Sequence, residues 1–196
     1  MDETPTQTQQ ATDLDGATIF LHFGLMVFGV AAWLAGYGAG DYKHARHFWF
    51  SVHKWLGLGA AAFVAARLGY GLWGPEAVRF TAWVPYTPER LKMVLEDLRC
   101  LVSFKLPERA PRQGLAGLWE AFGIAVFTWM AATGFLMFLY LTPGARARGF
   151  VWLVKELHEL GEWLVPLFLA VHLAAVTLHA LSGDHRWRKM FFLGEK

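Results

Sequence analysis

The sequence predicts an all-α, integral-membrane four-helix bundle of antiparallel, up-down topology, and three observations lead there. Hydrophobic residues make up 55% of the 196 and charged residues only 17%, against about a quarter charged in soluble domains. Mean hydropathy is correspondingly high, at +0.31. Four stretches are each long and apolar enough to cross a hydrocarbon core of about 30 Å, which takes roughly 20 helical residues.

The first of these runs from about Ala17 to Gly40 without a charge, and the second from about Phe48 to Trp73, with Lys54 near its start and Arg67 near its end. The third covers about Leu115 to Leu141 and carries Glu120. The fourth covers about Leu157 to Leu181 and has no charge after Glu162. Trp49, Trp55, Trp73, Trp119, Trp152 and Trp163 lie near the ends of these spans, where indole rings favour the membrane–water interface. Residues 1–16 are polar, with four acids and no Lys or Arg. That is the wrong charge for the start of a signal peptide, and the segment is expected to be a disordered tail.

The largest polar segment joins the second and third spans. Thr87-Pro88-Glu89 places a cap residue before a proline suited to the first helical position. Leu91, Val94, Leu95, Leu98, Leu101 and Val102 then recur at helical spacing among Arg90, Lys92, Glu96, Asp97 and Arg99. A short amphipathic helix is expected, either lying on the membrane or a partner, or packing over the end of the bundle.

Four spans leave both termini on one side of the membrane. Lys and Arg number eleven in the 79–112 loop and the 186–196 tail together, against six in the segments on the opposite side. The positive-inside rule therefore places both termini, the long loop and the basic 183–196 tail in the cytoplasm.

A formal net charge of +2, with no basic strip interleaved with aromatics, gives nucleic-acid binding no support. The lone cysteine, Cys100, excludes an intramolecular disulfide, a four-cysteine iron–sulfur cluster and the covalent attachment of a c-type haem. Neither a nucleophile–base pair, a phosphate-binding glycine loop nor a carboxylate dyad is apparent, so hydrolytic chemistry lacks support.

Of the eight histidines, His44, His47 and His185 fall in polar connections, where a solvated surface is the default. His22, His53, His158, His172 and His179 fall within or at the edges of spans, where an ionisable side chain is costly and points to function. Because alternate helices run in opposite directions, His22 and His172 share the level nearer the termini, and His53 and His158 share the opposite one. The fourteen residues from His158 to His172 make nearly four complete turns, so both side chains leave one face about 21 Å apart. Two bis-histidine haem sites stacked along a four-helix bundle need this arrangement. Such haems would be non-covalent, and residues 17–182 would form one di-haem domain.

Several assignments stay open. His179, seven residues beyond His172 on nearly the same face, competes with it as a ligand; His172 is preferred because only it completes the fourteen-residue interval. Arg67, fourteen residues after His53 and level with His172, either pairs with a haem propionate or snorkels to the interface. Gly29 and Gly36, spaced from His22 by seven and fourteen residues, offer either a bare face to a flat macrocycle or ordinary helix contact. Glu162, one turn past His158, either exchanges protons near the outer site or simply faces headgroups.

The residues His53-Lys54-Trp55-Leu56-Gly57 with Arg67-Leu68-Gly69, Leu157-His158-Glu159-Leu160 with Leu169-Ala170-Val171-His172, His22 in the first span and the closing Arg188-Lys189-Met190 resemble the bacterial cytochrome b561 superfamily. That superfamily includes the membrane cytochrome b subunits of nickel–iron hydrogenases and formate dehydrogenases. Phe23 stands where the family usually has Trp, and Arg112-Gln113-Gly114-Leu115 differs from the Gly-His-Asn-Pro of hydrogenase-linked members. The resemblance implies two haems b, membrane quinone as one redox partner, and a periplasmic or membrane redox protein as the other. It also implies a multi-pass protein of the bacterial inner membrane.

The expected function is that of an electron-transfer subunit passing electrons between that partner and the quinone pool, rather than an independent enzyme. The alternative is a stand-alone quinone oxidoreductase resembling the family members that oxidise superoxide. A third, non-redox reading is a membrane protein that binds zinc through its imidazoles.

Overall fold

A computed structural model describes residues 15–39, 48–107, 109–142 and 145–193. The expected disordered tail up to residue 14, His44 and His47 lie outside the described residues. Seven α-helices are described: α1 (Gly16–Ala39), α2 (Phe48–Trp73), α3 (Phe80–Trp83), α4 (Pro88–Val102), α5 (Gly114–Tyr140), α6 (Gly149–Glu159) and α7 (Gly161–Leu181). Two 3-10 turns, Glu76–Val78 and Arg186–Phe191, complete the described structure, which contains no strand among these residues.

Helices α1, α2 and α5 and the continuous run Gly149–Leu181 are each long and apolar enough to span a bilayer. Large apolar side chains such as Phe20, Leu34, Trp55, Leu139, Leu167 and Leu173 stand exposed on them. In a bilayer those groups meet lipid, while the helices satisfy their backbone groups internally apart from the bond lost at Pro166. The chain is a multi-pass membrane protein built as a four-helix bundle.

Registers within the bundle follow from close packing. In the α1–α2 pair, Gly24 faces the Phe63 ring, Gly59 faces Phe28, and Gly36 faces His53. As the residue number rises on one helix it falls on the other, so the two run antiparallel with backbones brought close by small residues. Along α5, Gly123 meets Phe168, Met130 meets Gly161, and Gly134 meets His158. These steps are even across the junction at Leu160, so α6 and α7 run beside α5 as one rod. Leu160 itself keeps right-handed helical angles, φ −57° and ψ −23°.

The fourth rod begins at Gly149 rather than at the expected Leu157. Lys155 pairs with Glu159 one turn on, at 2.6 Å, and with Glu156 at 3.2 Å. These pairings let a charged segment continue the helix.

At the bundle's centre Val64, Val126, Phe127 and Val165 form a buried apolar layer, flanked by Leu25, Leu68, Phe122 and Met130. Gly29 abuts this layer: a Cβ there would lie 2.9 Å from the Phe127 ring. Its role is helix packing.

The amphipathic segment expected between the second and third spans is α4. Its first turn is capped by the Thr87 hydroxyl accepting the Arg90 N–H, with Pro88 opening the helix. Asp97, 2% exposed, fastens α4 to α5: its Oδ2 accepts the Leu115 N–H at 2.8 Å, and its Oδ1 accepts from Arg109 Nε. The chain reaches this bond by a left-handed turn at Gly114 (φ 56°), where a Cβ would collide with the Asp97 carboxylate.

Candidate functional site

The spans bring four of the sequence-selected histidines together in two pairs. On the side of the bundle carrying the first and last described residues, the His22 and His172 rings lie 6.2 Å apart between centroids. On the other side the His53 and His158 rings lie 6.0 Å apart. The apolar layer of Val64, Val126, Phe127 and Val165 lies between the two levels.

At the outer level both rings are oriented through Nδ1. His53 Nδ1 lies 2.8 Å from the Ala32 carbonyl of α1, which can only accept, so this nitrogen carries the proton. His158 Nδ1 lies 2.9 Å from the Thr133 hydroxyl. That hydroxyl spends its own proton on the Trp129 carbonyl, 2.7 Å away, and so accepts from His158. In both rings Nε2 is left with a free lone pair, the state of a metal-binding imidazole held by a second hydrogen bond. Small residues admit the rings: a Cβ on Gly36 would lie 3.4 Å from His53, and one on Gly134 would lie 3.1 Å from His158.

The inner level is built differently. His172 stacks on Phe168 (5.5 Å, 16°), which stacks in turn on Trp119 (5.9 Å, 15°). Arg67 is 7% exposed; its Nη2 donates to Glu120 Oε1 at 3.2 Å, and its guanidinium lies over Phe80 and Trp83. This residue therefore does not reach out to the interface but is enclosed. Its Nη1 is buried with no hydrogen-bond partner among the described residues, as are His22 Nδ1 and Trp119 Nε1.

Glu120 is the hub of a network that the sequence reading passed over. It also faces Arg112 Nε at 3.4 Å. Arg112 Nη2 reaches the Thr18 hydroxyl, at 3.4 Å, and Thr18 in turn donates to Asp15, which caps α1 and accepts from the Tyr70 hydroxyl at 2.9 Å. The available signal was Glu120 being the sole charged residue of its span. Asp15, outside the spans, is disfavoured as an anion by burial, but the hydrogen bonds from Thr18 and Tyr70 outweigh this and hold its carboxyl below the ordinary value.

His179 lines an open cleft with Lys105, Arg109, Asp184 and Arg186. Glu162 is exposed, beside the exposed Trp163. Among the described residues no group of three or more His, Cys, Asp or Glu is placed to hold a metal ion, whereas structural zinc takes four ligands.

Two facing imidazoles suit a planar metal centre with two axial positions. Two metal–nitrogen bonds of about 2 Å each, plus about 1 Å from each nitrogen to its ring centre, total roughly 6 Å, in agreement with both centroid spacings. Unpaired buried donors at the inner level suit the carboxylates that a haem carries. The residues present fit haem at both levels.

Four membrane-spanning helices around paired histidines define a membrane cytochrome b that takes part in electron transfer. The family model for prokaryotic cytochrome b561 matches residues 13–193, and the chain belongs to that family, which binds haem b. No curated protein and no solved structure matches it.

Proposed function

We propose that the chain is a di-haem b cytochrome that exchanges electrons between membrane quinone and a partner redox protein. In this reading His22 and His172 would hold the haem at the inner level, on the side of the termini, and His53 and His158 would hold the haem at the outer level. The observation that carries it is the pair of imidazole couples, 6.2 and 6.0 Å apart, at opposite ends of an apolar layer. Bound haem iron supplies one-electron exchange between its ferric and ferrous states.

The chain's own residues do the rest. The Ala32 carbonyl and Thr133 hydroxyl hold the outer imidazoles in one tautomer and one orientation. With two histidines holding each haem, the iron would supply electron transfer rather than oxygen chemistry. Arg67, anchored through Nη2, keeps Nη1 for an inner haem propionate. The excess of Lys and Arg in the loop and tail supports cytoplasmic termini, and membership of a prokaryotic family supports the inner membrane of a bacterium.

Haem content and reduced-minus-oxidised visible spectra of the purified chain and its variants test this. His53→Ala and His158→Ala should each remove the same half of the haem, and His22→Ala and His172→Ala the other half, while His179→Ala keeps both. A single haem in the parent chain refutes the reading, whereas loss of haem in His179→Ala with retention in His172→Ala overturns the ligand assignment at the inner level and leaves the two-haem reading standing.

A further inference from the structure

Helix α4 carries more apolar surface than the bundle covers. Successive residues turn by about 100°, which sorts its side chains into three flanks. Val94 and Asp97 are buried against the bundle. Leu91, Leu95, Leu98 and Val102, at intervals of four, three and four, form an adjacent stripe that is exposed along its whole length, up to 82% at Val102. Lys92, Glu96 and Arg99 occupy the remaining flank. The helix ends with Phe104 in the left-handed region (φ 56°), its side chain 100% exposed, and Lys105 next to it. This left-handed residue closes the helix end, the Lys105 N–H donating to the Cys100 carbonyl and the Phe104 N–H to the Leu101 carbonyl, both at 2.9 Å.

Depth decides what this stripe meets. Asp97, midway along α4, bonds the second residue of α5, the Leu115 N–H, at 2.8 Å. The start of a membrane span marks the boundary between headgroups and acyl chains, so α4 is held at that boundary with its leucines at the height of the lipid. Charge points the same way. Glu96 is taken up by Arg109 at 2.9 Å, while Lys92, Arg99 and Lys105 have no ion pair among the described residues.

We infer that α4 is an interfacial helix seated in the leaflet on the side of the termini. Leu91, Leu95, Leu98, Val102 and Phe104 enter the upper acyl region, and Lys92, Arg99 and Lys105 bind the headgroups of anionic phospholipids. A helix with one flank on a bundle and the next in lipid fits the wide apolar arc, and basic residues bordering an apolar face are attracted to anionic lipid.

The test uses the full chain in nanodiscs of phosphatidylcholine, with or without phosphatidylglycerol. In a Cys100→Ser background, an environment-sensitive fluorophore is placed at L95C, L98C, K92C or R99C. At positions 95 and 98 the label should emit to the blue, respond to lipid-borne quenchers and be several-fold less open to iodide than at 92 and 99. Equal iodide access at all four positions overturns the inference, because the stripe then faces water or awaits a protein. Hydrogen exchange on the unmodified chain supplies a measurement free of substitutions. Amides of residues 91–102 should exchange several-fold more slowly with phosphatidylglycerol present, and K92Q/R99Q/K105Q should abolish that difference. Exchange that ignores lipid charge in the parent chain overturns the headgroup assignment.

Discussion

Replacing Thr133 with Val isolates what orients the outer haem site. The substitution keeps the β-branched shape, which α5 accommodates, and removes the hydroxyl acceptor 2.9 Å from His158 Nδ1. A partly buried N–H left unpaired costs about 1–3 kcal/mol. That corresponds to roughly a 5- to 150-fold loss of affinity, which brackets the about 10- to 100-fold found when the second hydrogen bond of a metal-binding histidine is removed. Haem titration into apoprotein, followed at the Soret band, should show one site weakened by that factor and the other unchanged. The outer midpoint potential should also rise, because an imidazole that loses its Nδ1–H bond donates less strongly to ferric iron. Thr133→Ser, which restores the hydroxyl, should return both quantities towards the parent values. The reasoning fails if Thr133→Val weakens both sites equally, leaves both intact, or weakens only the site that His172→Ala abolishes.

Arg67→Leu should lower the inner haem's midpoint potential, by removing a nearby positive charge, and spare the outer one; equal shifts at both haems in a redox titration refute the propionate role. Gly59→Leu forces a side chain onto the Phe28 ring, and overpacking of this kind should cost about 1–3 kcal/mol, read as a lower melting temperature in detergent with the haem spectrum retained below it. For Asp15 the carboxyl pKa is lower in the folded than in the unfolded chain. Its contribution is therefore full above the unfolded value and disappears as pH falls through the folded one. Asp15→Asn should consequently flatten the loss of thermal stability on acidification below the ordinary aspartate range, and an unchanged acid limb refutes the capping role.

The parts legible in the sequence were those carried by hydrophobic length and period. The first three spans were expected within a residue of their observed limits, since uninterrupted apolar runs leave little ambiguity. The fourth was started eight residues late because Lys155 and Glu156 look like a loop until their pairing with each other and with Glu159 is known. The histidine pairs were legible because antiparallel threading converts position along each span into depth. Their supporting atoms were not. Ala32 contributes a backbone carbonyl, which no side chain advertises, and Thr133 looks like any hydroxyl in an apolar helix until its neighbour is known. Glu120 stood out as an isolated charge, but its two arginines come from a different span and from the loop before its own helix. Only the folded chain brings them together.

The apolar layer of Val64, Val126, Phe127 and Val165 gives the bundle the character of a capacitor. It separates two polar levels with buried apolar side chains, a medium of low dielectric. A charge moved from one histidine level to the other, about 21 Å along the fourth rod, traverses some two-thirds of a hydrocarbon core of about 30 Å. Since a full crossing is worth about 2.3 kcal/mol per 100 mV, each electron exchanged between the levels is worth about 1.6 kcal/mol per 100 mV of membrane potential. In the proposed di-haem arrangement, a polarised membrane therefore biases which of the two levels is reduced, without any change in the ligands of either.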